Sequence, residues 1–199
     1  MKGYVQIYTG NGKGKTTAAL GLALRAVGAG KRVLFMQFMK AIGCSEHRVL
    51  KGGDGFSGFS DLLTWRLAGK PFFVTKEGAA TDAELEDIKK NCVVFPEGNP
   101  PADYVKLISE AFAEAKAAAV GGEYDIVILD EINCAVDFGL LPLAEVLDLV
   151  KGKHEHTELV LTGRCAPQEL IAAADLVTEM REVKHYYAKG VTSRRGIEG

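Results

Sequence analysis

The stretch Tyr8-Thr9-Gly10-Asn11-Gly12-Lys13-Gly14-Lys15-Thr16-Thr17 carries the residue types that a polyphosphate needs. Gly10, Gly12 and Gly14 let several backbone N–H groups converge on one point, because glycine accepts the required dihedrals without strain. Lys15 is a compact cation for terminal phosphates, the Thr16 hydroxyl suits the coordination shell of Mg2+ (or Mn2+), and a helix starting here adds its positive end. The common pattern of glycine, four residues, then Gly-Lys-Ser/Thr counts back to Thr9, and glycine arrives one place late at Gly10, so a variant loop is expected. Without a ligand the same string would be a glycine-rich strand-to-helix turn. The strand before it and the helix after it favour nucleotide binding.

A second group of candidates lies far downstream. Ile126-Val127-Ile128-Leu129 leads into Asp130-Glu131, the pattern in which a buried strand delivers a carboxylate beside a phosphate loop, to hold Mg2+ directly or through water together with Thr16. A strand-end acidic pair also serves as a solvated cap. Arg164 follows the apolar run Leu159-Val160-Leu161, where open α/β sheets place ligands, and its guanidinium suits a polyphosphate; an ion pair with Asp130 or Glu131 is the alternative. His154 and His156 sit two apart in a polar turn, where a shared metal would demand an extended backbone. Cys44, Cys134 and Cys165 have no base at a readable spacing and are expected to pack. Lys184, His185, Lys189, Arg194 and Arg195 read mainly as a solvated basic tail.

The elements that must position these residues follow an alternating pattern. Tyr4–Tyr8 reads as a first strand, Lys15 to about Gly28 as a helix apolar nearly all round and therefore buried, and Val33–Met36 as a second buried strand. The segment at about 40–99 is irregular, rich in glycine and aromatics: Leu62 to Leu67 is expected as a helical turn or two, Phe72-Phe73-Val74 as a strand, and Asp82 to Lys90 as a short helix. Ala102 to Val120 is a long helix with one apolar stripe, closed by Gly121-Gly122. Strands at 125–129 and 159–161 follow, with helices over Pro142–Val150 and Pro167–Ala174 and a final strand over Leu176–Tyr187. The sum is an α/β fold, P-loop NTPase-like, with a mostly parallel sheet of about five to six strands flanked by helices.

With 199 residues the chain suits a single domain, 1–199, since domains commonly run about 100–200 residues. A formal net charge of −2 gives no whole-chain basic field for nucleic acid or an anionic membrane. Four scattered cysteines without a metal-type spacing read as reduced thiols in a cytoplasmic protein. Gln6 breaks the first apolar run, which argues against a signal peptide, and no stretch approaches membrane-spanning length. On these residues alone the chain is a Mg-dependent nucleotide-binding protein. These residues do not choose a second substrate, and a small-molecule kinase and a non-catalytic ATP-binding regulatory module both stay open.

The order of several blocks resembles the P-loop ATP:corrinoid adenosyltransferases. The resemblance is carried by Gly12-Lys13-Gly14-Lys15-Thr16-Thr17-Ala18-Ala19, Gln37-Phe38-Met39-Lys40, Val127-Ile128-Leu129-Asp130-Glu131, Leu141-Pro142-Leu143, Thr162-Gly163-Arg164, Val183-Lys184-His185 and Gly196-Ile197-Glu198. It implies attack of a reduced corrinoid's Co(I) on the 5′ carbon of ATP with tripolyphosphate as leaving group, in adenosylcobalamin biosynthesis. It further implies that Lys13, Lys15 and the loop amides neutralise that leaving group, with the metal on Thr16 and Glu131, Asn11 on the nucleotide and Arg164 on the phosphates. An electron-donating reductase partner and a homodimer are implied too. In place of the family's Gly-Phe-Thr-Trp string the chain has Gly69-Lys70-Pro71-Phe72-Phe73, so Phe72 or Phe73 is expected to displace the lower axial ligand of cobalt or else to pack in the core. Some members carry an amino-terminal extension over the corrinoid, whereas Tyr4 already opens the first strand here.

Overall fold

A computed structural model describes residues 2–40, 44–51, 61–70, 72–75, 93–96, 98–192 and 194–197, with side chains left aside at 51 and 72–75. Its centre is a six-stranded sheet in the order β3-β2-β6-β7-β1-β8, every pairing parallel. The strands are β1 (Val5–Thr9), β2 (Val33–Phe38), β3 (Leu63–Ala68), β6 (Ile126–Asp130), β7 (Glu158–Thr162) and β8 (Leu176–Glu179). A separate parallel pair joins β4 (Phe72–Thr75) to β5 (Val93–Pro96). The helices are α1 (Lys15–Gly28), α2 (Glu46–Lys51), α3 (Ala102–Gly121), α4 (Ile132–Asp137), α5 (Leu143–Gly152) and α6 (Gln168–Ala173), with a 3-10 turn at Tyr186–Lys189.

Parallel strands covered on both faces need apolar residues at every position, and β2, Val-Leu-Phe-Met-Gln-Phe, is buried throughout. Alternation divides it between two cores. Leu34, Met36 and Phe38 join Val127, Leu129, Leu159 and Leu161 beneath the Tyr104, Ile108, Phe112, Ala115 and Ala119 stripe of α3. Val33, Phe35, Ile128 and Val160 face Ala19, Ala23 and Ala26 of α1. That alanine stripe lets α1 lie close to the sheet, but it is the helix's only apolar face that is buried, and Leu24 is 56% exposed. The all-round apolar pattern therefore does not mean all-round burial.

Two further expectations are corrected. Leu62–Leu67 is not helical: Leu63–Ala68 is a strand because it pairs with β2 along its length, Val33 to Leu63 through Phe38 to Ala68. The last strand stops at Glu179 rather than reaching Tyr187, because the Met180 carbonyl leaves the ladder to accept a hydrogen bond from the Gly12 N–H at 2.6 Å. The helix expected over 82–90 and the side chains of Phe72 and Phe73 lie outside the described residues.

Candidate active site

The carboxyl ends of β1, β2, β6 and β7 converge on a cavity of about 540 Å³. Thr9 is still strand, paired with Glu179, and its Oγ1 accepts from the Ala166 N–H at 3.3 Å, so the loop turns one residue later than the common pattern has it. Gly10 makes that turn at φ 92°, and a Cβ there would lie 2.5 Å from the Met180 carbonyl oxygen, which excludes any other residue. Asn11, Gly12, Lys13, Gly14, Lys15, Thr16 and Thr17 then line the cavity. The Lys15 ammonium donates to the carbonyls of Gly10 (2.7 Å) and Gly12 (2.9 Å), folded back onto the loop. Burial pulls its pKa below the ordinary lysine value; Glu131 opposes that shift and Arg164 adds to it.

The two carboxylates after β6 have different surroundings. Asp130 is fully buried and saturated. Thr16 Oγ1 faces both of its oxygens, 3.0 Å from Oδ1 and 3.1 Å from Oδ2; Oδ1 also accepts from Thr162 Oγ1 (2.6 Å) and Oδ2 from Gln37 Nε2 (3.1 Å), and Lys40 Nζ stands 3.7 Å away. It is a hub that orients the Thr16 hydroxyl. Glu131, one residue on, has φ 63°, a left-handed conformation that turns its side chain into the cavity, while its N–H donates to Thr162 Oγ1. Its Oε2 accepts from the Cys134 thiol at 3.0 Å. Burial, and then Glu131 itself, push that thiol above the ordinary cysteine range, in keeping with a thiol that donates to Glu131 while its sulfur accepts from the Arg164 N–H at 3.2 Å.

Met39, Glu131 and Cys165 are the non-glycine residues at positive φ among the described residues, and they follow β2, β6 and β7 at this same edge. Each costs on the order of 1 kcal/mol or more, and strain of this kind concentrates where side chains are aimed at a ligand. Gly163, at φ 133°, lets the β7 exit run against α4, where a Cβ would meet the Asn133 Cβ and the Cys134 nitrogen at 3.0 Å. Arg164 lines the cavity opposite the loop; among the described residues the ion pair to Asp130 comes from Lys40, not from Arg164.

Sequence reasoning missed several lining residues. Lys40, Ser45, Glu46, His185, Gly196 and Ile197 also face the cavity, and Lys13 Nζ donates to the Ile197 carbonyl at 3.0 Å. The basic tail thus folds over the phosphate loop, with Arg194 stacked 4.9 Å from the Tyr186 ring centroid. The family-like strings at 37–40, 183–185 and 196–198 were the readable signal for most of these. Glu46 had none. His154 and His156 stack edge to face at 5.3 Å, and a neighbouring cavity of about 260 Å³ is bounded by Met39, Lys40, Glu131, Cys134, Phe138 and Arg164.

Among the described residues no helix is long and apolar enough to cross a membrane. Comparison with known proteins agrees with the geometry. The family model described as ATP:corrinoid adenosyltransferase BtuR/CobO/CobP matches residues 1–199. The chain is 32% identical to the corrinoid adenosyltransferase of Escherichia coli K12, over 99% of this chain and 86% of that one. The corrinoid adenosyltransferase CobA of Salmonella typhimurium is likewise 32% identical over 99% of this chain and 86% of its own. A protein of Nostoc sp. PCC 7120, all2391, is 35% identical over 98% of this chain, which spans only 47% of that relative. The chain belongs to the ATP:corrinoid adenosyltransferase family.

Proposed function

We propose that this chain, acting as a single domain, transfers the 5′-deoxyadenosyl group of ATP to the Co(I) of a reduced corrinoid, a step of adenosylcobalamin biosynthesis. Co(I) supplies both electrons of the new cobalt–carbon bond and becomes Co(III); the C5′–O bond breaks, and its electron pair leaves with tripolyphosphate. The observation that supports the reading is the charge arrangement: Lys13, Lys15, Lys40 and Arg164 line one cavity with the phosphate loop, and in this reading they take up charge developing on a leaving triphosphate. The positive end of α1 adds to them. In this reading the γ-phosphate lies deep in the loop and C5′ faces the corrinoid, Asn11 contacts the nucleotide, and Lys15 exchanges the Gly10 and Gly12 carbonyls for phosphate oxygens.

The donor set beside the loop fits Mg2+ or Mn2+, hard cations that take oxygen ligands. Thr16 and Glu131 would hold the ion, and Asp130, saturated by its four donors, would orient Thr16 from behind. When bound, the ion neutralises charge on the triphosphate. Phe72 and Phe73 are proposed to face the corrinoid, a reductase to deliver the electron for Co(I), and the working protein to be a cytoplasmic homodimer. The test incubates the protein with ATP, Mg2+ and chemically reduced cobalamin, following the cobalt–carbon product by absorbance and the phosphate product by chromatography. Tripolyphosphate in step with the organometallic product is expected, and Lys15→Ala should abolish both. ADP as the sole phosphate product would replace this reading with a kinase; binding of both substrates without turnover would replace it with a regulatory module.

A further inference from the structure

Beside the candidate active-site cavity, on the wall that Ser45 and Glu46 contribute, lies a second constellation, to which the proposed transfer assigns no role. Cys44, Glu46 and His47 each offer one ligand atom, and these atoms lie within 4.8 Å of one another. His47 is 2% exposed, and Cys44 and Glu46 are half-buried. A tetrahedral zinc-type ion with sulfur, nitrogen and oxygen ligands would place them roughly 3.4–3.6 Å apart, so side-chain shifts of about 1 Å close the set.

The orientation of His47 is fixed from outside the cluster. Gln37 Nε2 donates to Asp130 Oδ2 at 3.1 Å, and Gln37 Oε1 accepts from the Trp65 indole N–H at 3.1 Å. A carboxylate can only accept and an indole can only donate, so the two contacts independently establish which end of the Gln37 amide is oxygen. That oxygen also lies 3.0 Å from His47 Nε2, which must therefore carry a proton and donate. In the neutral ring the lone pair is then on Nδ1. An imidazole whose far N–H is held by a fixed acceptor is the arrangement found behind metal-ligating histidines. The Trp65 ring, with its centroid 4.9 Å from that of His47, packs against the imidazole.

We infer that Cys44, Glu46 and His47 form a site for a thiophilic late first-row divalent cation, Zn2+ or Co2+, with Gln37 as the supporting shell and a fourth position left to water. One thiolate, one imidazole and one carboxylate select such ions over Mg2+. Binding releases the Cys44 thiol proton to solvent and forms one metal–sulfur bond, with no change of oxidation state. Because Gln37 also holds Asp130, the ion would tie the 44–47 wall to the carboxylate that orients Thr16.

The test uses the full chain under reducing conditions, stripped with a chelator and titrated with Co2+ in the absence of ATP and Mg2+. One equivalent is expected, with tetrahedral d–d bands and a thiolate-to-cobalt charge-transfer band that Zn2+ displaces. Cys44→Ser should abolish the charge-transfer band, and Glu46→Gln should weaken binding at least tenfold while leaving the apo-protein's melting temperature unchanged. Cys134→Ser, beside Glu131, should leave the band intact. Absence of the band, a band that follows Cys134, or Glu46→Gln titrating like the parent protein would each overturn the inference.

Discussion

Asp130→Asn tests whether the buried carboxylate acts by orienting Thr16. The change removes a charge and makes one acceptor oxygen a donor. If the new amide nitrogen replaces Oδ2, it opposes Gln37 Nε2 and the Lys40 ammonium. Gln37 cannot turn to relieve this, since its Oε1 already accepts from Trp65 and His47. The nitrogen must therefore replace Oδ1, opposite Thr162, whose hydroxyl must rotate to accept, while Thr16 Oγ1, 3.0 Å from Oδ1 and 3.1 Å from Oδ2, is left with the neutral Oδ2 acceptor alone. Thr16 thereby exchanges a charged, two-oxygen acceptor for one neutral oxygen, and its hydroxyl is held less firmly with its lone pair toward a metal ion. One lost charge-assisted hydrogen bond of about 1.5–3 kcal/mol corresponds to roughly a 10- to 150-fold fall in kcat/KM for ATP. The assay is the initial rate of cobalt–carbon bond formation with chemically reduced cobalamin at varied ATP and Mg2+, with a thermal melt to show that the fold persists. A variant within twofold of the parent protein at every Mg2+ concentration would refute the orienting role.

Other expectations follow from the same geometry. Burial lowers the Lys15 pKa below the ordinary 10.5, and a bound polyphosphate raises it again, because the anion favours the charged ammonium. ATP affinity measured by calorimetry should therefore fall as pH rises through that lowered value, earlier than for an exposed lysine, and the alkaline fall should vanish in Lys15→Met. Asp125 is held below its ordinary 3.8 by the Arg32 N–H and by Lys31, so its contribution to stability is complete above that value and is lost as pH falls through the lower folded one. Asp125→Asn should cost about 0.5–1 kcal/mol at neutral pH, a drop of roughly 1–4 °C in Tm, with the gap closing in acid. Phe72→Ala and Phe73→Ala should slow turnover from Co(II) while sparing the reaction from chemically produced Co(I). Parent-like rates from Co(II) in both variants would remove the aromatic assignment.

What could be read from the sequence was chemistry that is local. Gly10 to Thr17 announces an anion site because glycine, lysine and threonine act within a few residues of one another, and the late first glycine records that Thr9 remains in the strand. The division of labour between Asp130 and Glu131 was not readable. It depends on one residue's left-handed backbone and on donors from positions 16, 37, 40 and 162, brought together only by the sheet. For the same reason the roles of Gln37, just past the expected second strand, and of Trp65, inside an expected helical turn, were not readable. Leu63–Ala68 was misread because the pairing that makes it a strand comes from β2, thirty residues earlier, while Leu176–Tyr187 was overextended because the Met180 carbonyl is diverted to the loop.

The position of β1 in the sheet bears on how the protein comes into being on the ribosome. β1 lies between β7 and β8, which come far later in the chain, so neither of its hydrogen-bonding edges has its partner until residues 158–179 have emerged. At about 5–20 residues per second that is a wait of roughly 10–35 s, in which β2, β3 and β6 can already pair. The loop that Met180 braces is thus assembled only after residue 180 has emerged, and a nascent chain cannot form it before then.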